Sequence, residues 1–261
     1  RETTYTRYTE LQKAKETFVD GLLRSMEETP YDRELPDAWL SQLEGWLPVL
    51  RYPCHALQML AAYVGQMALA SSIVIACCFQ TGDEMRRIQR LAYRMRQLQD
   101  IRPGFGAESK SEWERAPIWQ PLRALIERLL VTYDPGEAFI AVNLVLEPMF
   151  DRLFMSEFAH LAEQNRDPLL GRILSSLGED CLWHRSWSRA LVLAASEEAP
   201  ELRAALREGV TRWHEPACAA LDALQPLWTS EARSWAQVQR ELRADCARFL
   251  ESAGLAAGGT L

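Results

Sequence analysis

From Ala56 to Gly82 the chain carries no acidic or basic side chain. A run of that length is either a membrane span or a pair of helices buried in protein. Its content decides between them. Gln58, Tyr63, Gly65, Gln66, Ser71, Ser72 and Gln80 would give a lipid-facing helix more hydrogen-bonding groups than it readily carries. Ala70-Ser71-Ser72 reads instead as a tight turn with a serine N-cap. The expectation is two buried helices, 53–69 and 72–100, and no membrane segment.

Helical spacing continues on both sides of that run. Tyr8 to Met26 places Leu11, Phe18, Leu22 and Leu23 on one face, and Thr29-Pro30 ends it. A short helix is expected over 36–50. The second half of 72–100 puts Met85, Ile88, Leu91, Met95 and Leu98 on one side, with Arg86, Arg90, Arg94 and Arg96 elsewhere. Arg102-Pro-Gly-Phe-Gly106 is a loop, and 121–131 is helical. Asp134-Pro135-Gly136 opens a helix reaching about Gln164, which Pro148 should bend. Asp167 caps the next helix, Pro168 takes its first turn, and it runs to about Ser196. Two more follow, 199–224 and 230–252. No strand-like alternation exceeds four or five residues. The fold class expected is all-α, a single domain over 1–261. Its core is 53–196, its peripheral helices span 6–50 and 199–252, and 253–261 is a flexible tail.

The 29 basic and 36 acidic residues leave a net charge of −7, which repels a phosphate backbone and removes nucleic acid as a partner. Six cysteines are scattered, none in a C-x-x-C pair, so reduced thiols in a cytoplasm are expected rather than a zinc site or disulfide framework. Arg1 to Arg7 holds no apolar stretch of the secretory kind, and the opening lacks a methionine, leaving room for an upstream start.

Long antiparallel helix pairs invite a test for a di-iron centre. Ferritin-like bundles build one from a Glu on each of two helices and a Glu-x-x-His on each of two others. The one literal Glu-x-x-His is Glu157-Phe-Ala-His160, but it lies near the turn at 165 and faces Leu174 and Gly171. We read it as a partly exposed helix-end pair. Positions equidistant from a turn face one another, and at mid-bundle this rule is more productive. Glu84 then meets the Cys54–Ala56 region, and Glu147 meets Cys181 to His184. In one motif slot Arg87 stands where histidine is needed, and a guanidinium cannot ligate a metal. The other slot reads Cys181-Leu-Trp-His184. The expectation is a metal-free site filled by ion pairs, with Cys54, Glu84, Arg87, Glu147, Cys181 and His184 as vestigial ligand positions.

Plainer readings stay open for each. Thr81-Gly-Asp-Glu84 could be a capping box, Glu147 could bond across the Pro148 kink, and His184 could be an ordinary core histidine. A rival set, Glu84, Glu147, Glu137, Asp180 and His184, would hold iron itself. No G-x-S-x-G elbow, Walker loop, Rossmann fingerprint or EF-hand loop occurs. Trp183 and Trp187, four apart on one helix, and Tyr63 are candidate anchors for a partner chain.

Five segments in series carry a resemblance. They are His55 to Met67, Asp83 to Tyr93, Trp119 to Arg123, Gly136-Glu-Ala-Phe139 with Asn143-Leu-Val-Leu-Glu-Pro148, and His184 to Leu191. Together they resemble the β subunit of bacterial multicomponent di-iron monooxygenases, on the toluene and phenol hydroxylase branch. The resemblance implies a ferritin-like bundle with flanking helices. It also implies a hydroxylase of α, β and γ subunits, arranged as a dimer of trimers, that oxidises small hydrocarbons with O2 and NADH. The iron pair would belong to α, so this chain would be non-catalytic and carry no cofactor. A reductase, in some members a Rieske ferredoxin, and a regulatory protein would act on the complex.

Overall fold

Asp134-Pro135 and Asp167-Pro168 are the points where the chain turns and restarts as helix. In the computed structural model, which describes residues 3–27 and 29–255, the Asp134 carboxylate accepts from the Glu137 N–H at 2.8 Å and Asp167 from Leu170 at 3.0 Å. Each proline takes the first helical turn, where a missing N–H costs nothing. Ten helical rods result: α1 (Tyr5–Glu27), α2 (Asp37–Glu44), α3 (Arg51–Met67), α4 (Ser71–Ile101), α5 (Ser109–Arg115), α6 (Gln120–Leu130), α7 (residues 135–164), α8 (Pro168–Glu198), α9 (Leu202–Asp222) and α10 (Trp235–Ser252). No strand occurs among the described residues. None of their helices is long and apolar enough to cross a membrane.

The charge-free run folds as the antiparallel pair α3–α4. A Cβ on Gly65 would lie 2.7 Å from the Cys77 Cβ, so glycine is what lets these helices approach so closely. α7 and α8 form the second pair. α4 packs on α8 and α3 on the start of α7, closing a four-helix bundle. α1, α6, α9 and α10 pack around it, and one apolar cluster runs through them all, with Trp46, Phe150, Phe154 and Phe158 at its heart.

α7 departs from α-helical geometry twice. Ile140–Leu146 and Arg152–Glu157 are π-helical, with the Glu147 N–H donating to Val142 and the Phe158 N–H to Leu153. The first wide turn answers the expected kink. Pro148 offers no N–H to the Leu144 carbonyl, which instead accepts a long contact from the Cys246 thiol at 3.9 Å.

Several expectations need correction. Leu11 and Phe18 of α1 are exposed, and Val19 and Leu23 are its buried residues. On α4, Arg86, Arg90 and Arg94 are buried while Met85 is exposed. The reason is α1 and the segment after it, which supply counter-charges. Glu16 bonds Arg86 at 2.6 Å and also Arg90, Asp20 bonds Arg90 at 2.8 Å, and Asp32 bonds Arg94 at 2.7 Å. Ala70, not a serine, stands at the N-cap of α4, and α4 runs unbroken through Thr81, whose hydroxyl donates to the Cys77 carbonyl. That removes the capping box. The 36–50 helix is shorter, and α5 occupies a stretch for which no helix is expected. Of the tail, 253–255 ends α10 in an ordered cap. Gly254 adopts φ +76°, Gly254 N–H bonds Glu251 and Leu255 N–H bonds Leu250. Leu255 is buried there, and 256–261 lie outside the described residues.

Candidate functional site

Three helices present side chains to the bundle axis in matching steps. α4 offers Gln80, Glu84 and Arg87, α7 offers Asn143, Glu147 and Asp151, and α8 offers Cys181, His184 and Ser188, all buried. Steps of three and four residues keep one helix face in line. The π turn before Glu147 adjusts that phase on α7.

The innermost layer joins Glu84, Glu147 and His184. One donor atom from each lies within 4.8 Å of the others. His184 Nε2 is 3.1 Å from Asp83 Oδ2, and its Nδ1 is 4.0 Å from Glu84 Oε1. Above this layer, Gln80 Nε2 donates to both Glu147 oxygens at 2.9 Å. Its Oε1 accepts from Asn143 Nδ2 at 2.9 Å and Trp187 Nε1 at 3.1 Å, which fixes which way the amide faces. Below it, Arg87 Nη1 lies 3.2 Å from Glu84 and 3.0 Å from Asp151, and Nη2 donates to Cys181 Sγ at 3.0 Å. Cys54 from α3 closes this end beside Arg87 and Glu84.

Burial dominates the electrostatics. It pushes Glu84 up to about 8, with Arg87 opposing, and Glu147 up to about 7, with the Asp151 charge adding to the rise. For His184 burial acts downward, but the Asp83 hydrogen bond and the charges of Glu147, Asp83 and Glu84 raise it to about 9. Burial likewise lifts the Cys54 thiol to about 12 and drives Cys181 well above its ordinary value. Arg87 is pressed downward by burial and held charged by Asp151 and Glu84.

All six positions expected from hairpin counting therefore meet in one buried centre. Gln80, Asp83, Asn143 and Asp151 were missed. The 80/84/87 and 143/147/151 spacings carry the signal for Gln80, Asn143 and Asp151, but the π turn at Ile140–Leu146 that sets the phase of α7 has no local sequence mark. The rival five-residue set does not assemble. Glu137 is at the surface, accepting from Arg212 at 2.9 Å and Trp213 at 3.2 Å. Asp180 faces α1 and pairs with Lys15 at 2.6 Å and Arg86 at 2.7 Å. Glu157 is not partly exposed as expected. It is buried, bonded to Arg152 at 2.7 Å and to Arg233 at the entry of α10, while His160 is exposed. Of the candidate anchors, Trp187 binds Gln80, half-buried Trp183 packs beside Phe79, and the Tyr63 hydroxyl donates to the Tyr133 carbonyl at 2.6 Å.

A pair of irons does not fit this set. The ferritin-like arrangement needs two imidazoles and four carboxylates pointing at two ions. Here one imidazole is present, and a guanidinium stands in the other imidazole's place with its charge on Glu84 and Asp151.

Fold and centre together define a ferritin-like helical bundle with a carboxylate–histidine–arginine interior. The chain belongs to the methane/phenol/alkene hydroxylase family, whose sequence model matches residues 1–199. It is 34% identical over 229 residues to the β subunit of the hydroxylase component of the toluene-4-monooxygenase system of Ectopseudomonas mendocina, covering 87% of this chain and 70% of that protein. It is 30% identical over 162 residues to the small subunit of the propane 2-monooxygenase hydroxylase component of Gordonia sp. strain TY-5, covering 60% of this chain and 44% of that one. Among solved structures, toluene 4-monooxygenase with toluene bound in its resting active site superimposes with a TM-score of 0.83 at 34% identity. That match covers 86% of this chain and 75% of the other. Xenon-pressurised phenol hydroxylase from Pseudomonas sp. OX1 gives 0.87 at 21% identity, covering 98% and 77%, which speaks to the fold alone.

Proposed function

We propose that the chain is the non-catalytic β subunit of the hydroxylase component of a multicomponent monooxygenase that oxidises small hydrocarbons, aromatic ones foremost. One observation carries this reading: Arg87 stands at the centre of the bundle, joined to Glu84 and Asp151, where a second imidazole would be needed. The 34% identity to a hydroxylase β subunit supports it. In this reading the iron pair belongs to a partner α subunit, and this chain contributes surface and rigidity. With a γ subunit the assembly is a dimer of trimers in the cytoplasm. Electrons come from NADH through a reductase, in some systems by way of a Rieske ferredoxin, and a regulatory protein tunes the α site.

Co-purification from the native host, with mass spectrometry and metal analysis, tests the reading. The expected result is a complex whose iron follows the partner chain, with this chain poorly soluble and iron-free when expressed alone. Two irons per isolated chain, or a stable monodisperse monomer with no co-purifying partner, would overturn it.

A further inference from the structure

The centre is too acidic for its own cations. Asp83, Glu84, Glu147 and Asp151 carry four formal negative charges. Among the described residues the cations within 4.0 Å of them are Arg87 and, when protonated, His184, and Asp83 also accepts from the neutral Tyr8 and Gln12. The four carboxylates, Arg87 and His184 are all buried. Buried charge without compensation is costly, so the shortfall of two must be met by protons or by a cation.

The unpartnered atoms favour a cation. Both Glu84 oxygens and His184 Nδ1 are buried with no hydrogen-bond partner. Glu84 Oε1 and His184 Nδ1 lie 4.0 Å apart, with a Glu147 oxygen within 4.8 Å of both residues' ligand atoms. Glu84 divides its carboxylate: Oε2 lies toward Arg87, and Oε1 lies toward His184. On the far side of the imidazole, Nε2 is bonded to Asp83 Oδ2 at 3.1 Å. A carboxylate holding one ring N–H, with the other nitrogen turned inward and free to bind a cation once its proton is displaced, is the outer-shell arrangement that orients a metal-binding histidine. Gln80 does the same for Glu147, steadying its two oxygens while lone pairs remain for a further bond.

We propose that Glu84, Glu147 and His184 form a binding site for a single first-row divalent cation, oriented by Asp83 and Gln80. Two carboxylates and an imidazole suit zinc, manganese or ferrous iron rather than calcium or copper(I). Ligand atoms at ~2.0–2.2 Å from a tetrahedral zinc stand ~3.3–3.6 Å from one another. The observed 4.0 Å between Glu84 Oε1 and His184 Nδ1 therefore needs only a small closure. The site rests on the reading above in one respect only, that the iron pair is elsewhere.

Zinc is the probe. The full chain, with its co-purifying partner where it needs one, is stripped with chelator, dialysed against zinc and counted for metal. The wild type is expected to retain one zinc per chain that E147Q, E84Q and H184Q lose, while substitution of the exposed His55 and His160 by alanine changes nothing. Trp187 fluorescence is expected to shift on zinc binding in the wild type alone, because Trp187 reaches Glu147 through Gln80. Circular dichroism of zinc-free samples identifies any variant that fails to fold. Should H184Q do so, the two glutamine variants still decide. Equal zinc retention by wild type and the folded variants, or no saturable uptake by the wild type, would overturn the site and point to protons on Glu84 and Glu147. Two irons on the isolated chain would instead overturn the subunit assignment.

Discussion

Arg87 serves two carboxylates and a thiol at once, from a position with almost no access to water. Removing one member of such a group strands the others, which is far more costly than never having built it. R87M is expected to lose about 3–5 kcal/mol, read as a lower urea midpoint at unchanged slope. Adding E84Q and D151N to R87M should restore a good part of the loss, since no stranded charge then remains. The same interior sets a pH dependence. Glu84 rises from 4.5 to about 8 and Glu147 from 4.5 to about 7 on folding, so between pH 4.5 and 8 the folded chain holds protons that the unfolded chain has released. His184, raised from 6.5 to about 9, adds the same sign across its own interval. Stability must therefore fall as pH rises through this window. Asp180, held below its ordinary value by Arg86 and Lys15 against the pull of burial, opposes this at the acid end, where its contribution is lost as pH drops through its folded pKa. With chelator present, Tm should peak near pH ~5 and decline toward pH ~9, and E84Q or E147Q should flatten the decline.

At the scale of elements, Asp167 does more than begin α8. Its carboxylate accepts from Leu170 N–H and from the Tyr31 hydroxyl, both at 3.0 Å, and from Trp39 Nε1 at 3.1 Å. D167A is expected to cost about 3 kcal/mol, a lost cap of ~1 plus two donors left unpaired, and D167N should recover part of it. Thermal melts of the two variants check this. On the other pair, G65A should cost about 1–3 kcal/mol by forcing α3 from α4, and C77G in the same chain should return some of it by clearing the clashing Cβ. Helix starts were legible where an aspartate precedes a proline, and the α3–α4 hairpin was legible from its want of charge. Hairpin counting brings Glu84 to Cys54 because α3 and α4 keep their phase, and it brings Glu147 to His184 even though a wide turn at Arg152–Glu157 lies between Glu147 and the hairpin. What stayed hidden depended on partners far along the chain. Arg86 and Arg90 lie off the apolar face in sequence and are buried only because α1 delivers Glu16 and Asp20, as Asp32 does for Arg94. Asp151 lies beyond a wide turn that no local signal announced.

Across the whole molecule the cysteines report on closure. Five of the six are buried and Cys78 is exposed, and burial raises Cys77 and Cys246 to about 12. A thiol reagent should label one cysteine in the native chain and six after denaturation, and association over the α4 face would protect Cys78 as well. The wide turns of α7 have a consequence for heredity. Each residue gained or lost in a helix rotates everything beyond it by about 100°. An exposed loop between helices can absorb a three-base deletion in the gene, because the next helix is not phased through it. Between 140 and 157 the same deletion would swing Glu147, Asp151 or Glu157 out of reach of its partner. That stretch can change its letters over generations but not its length.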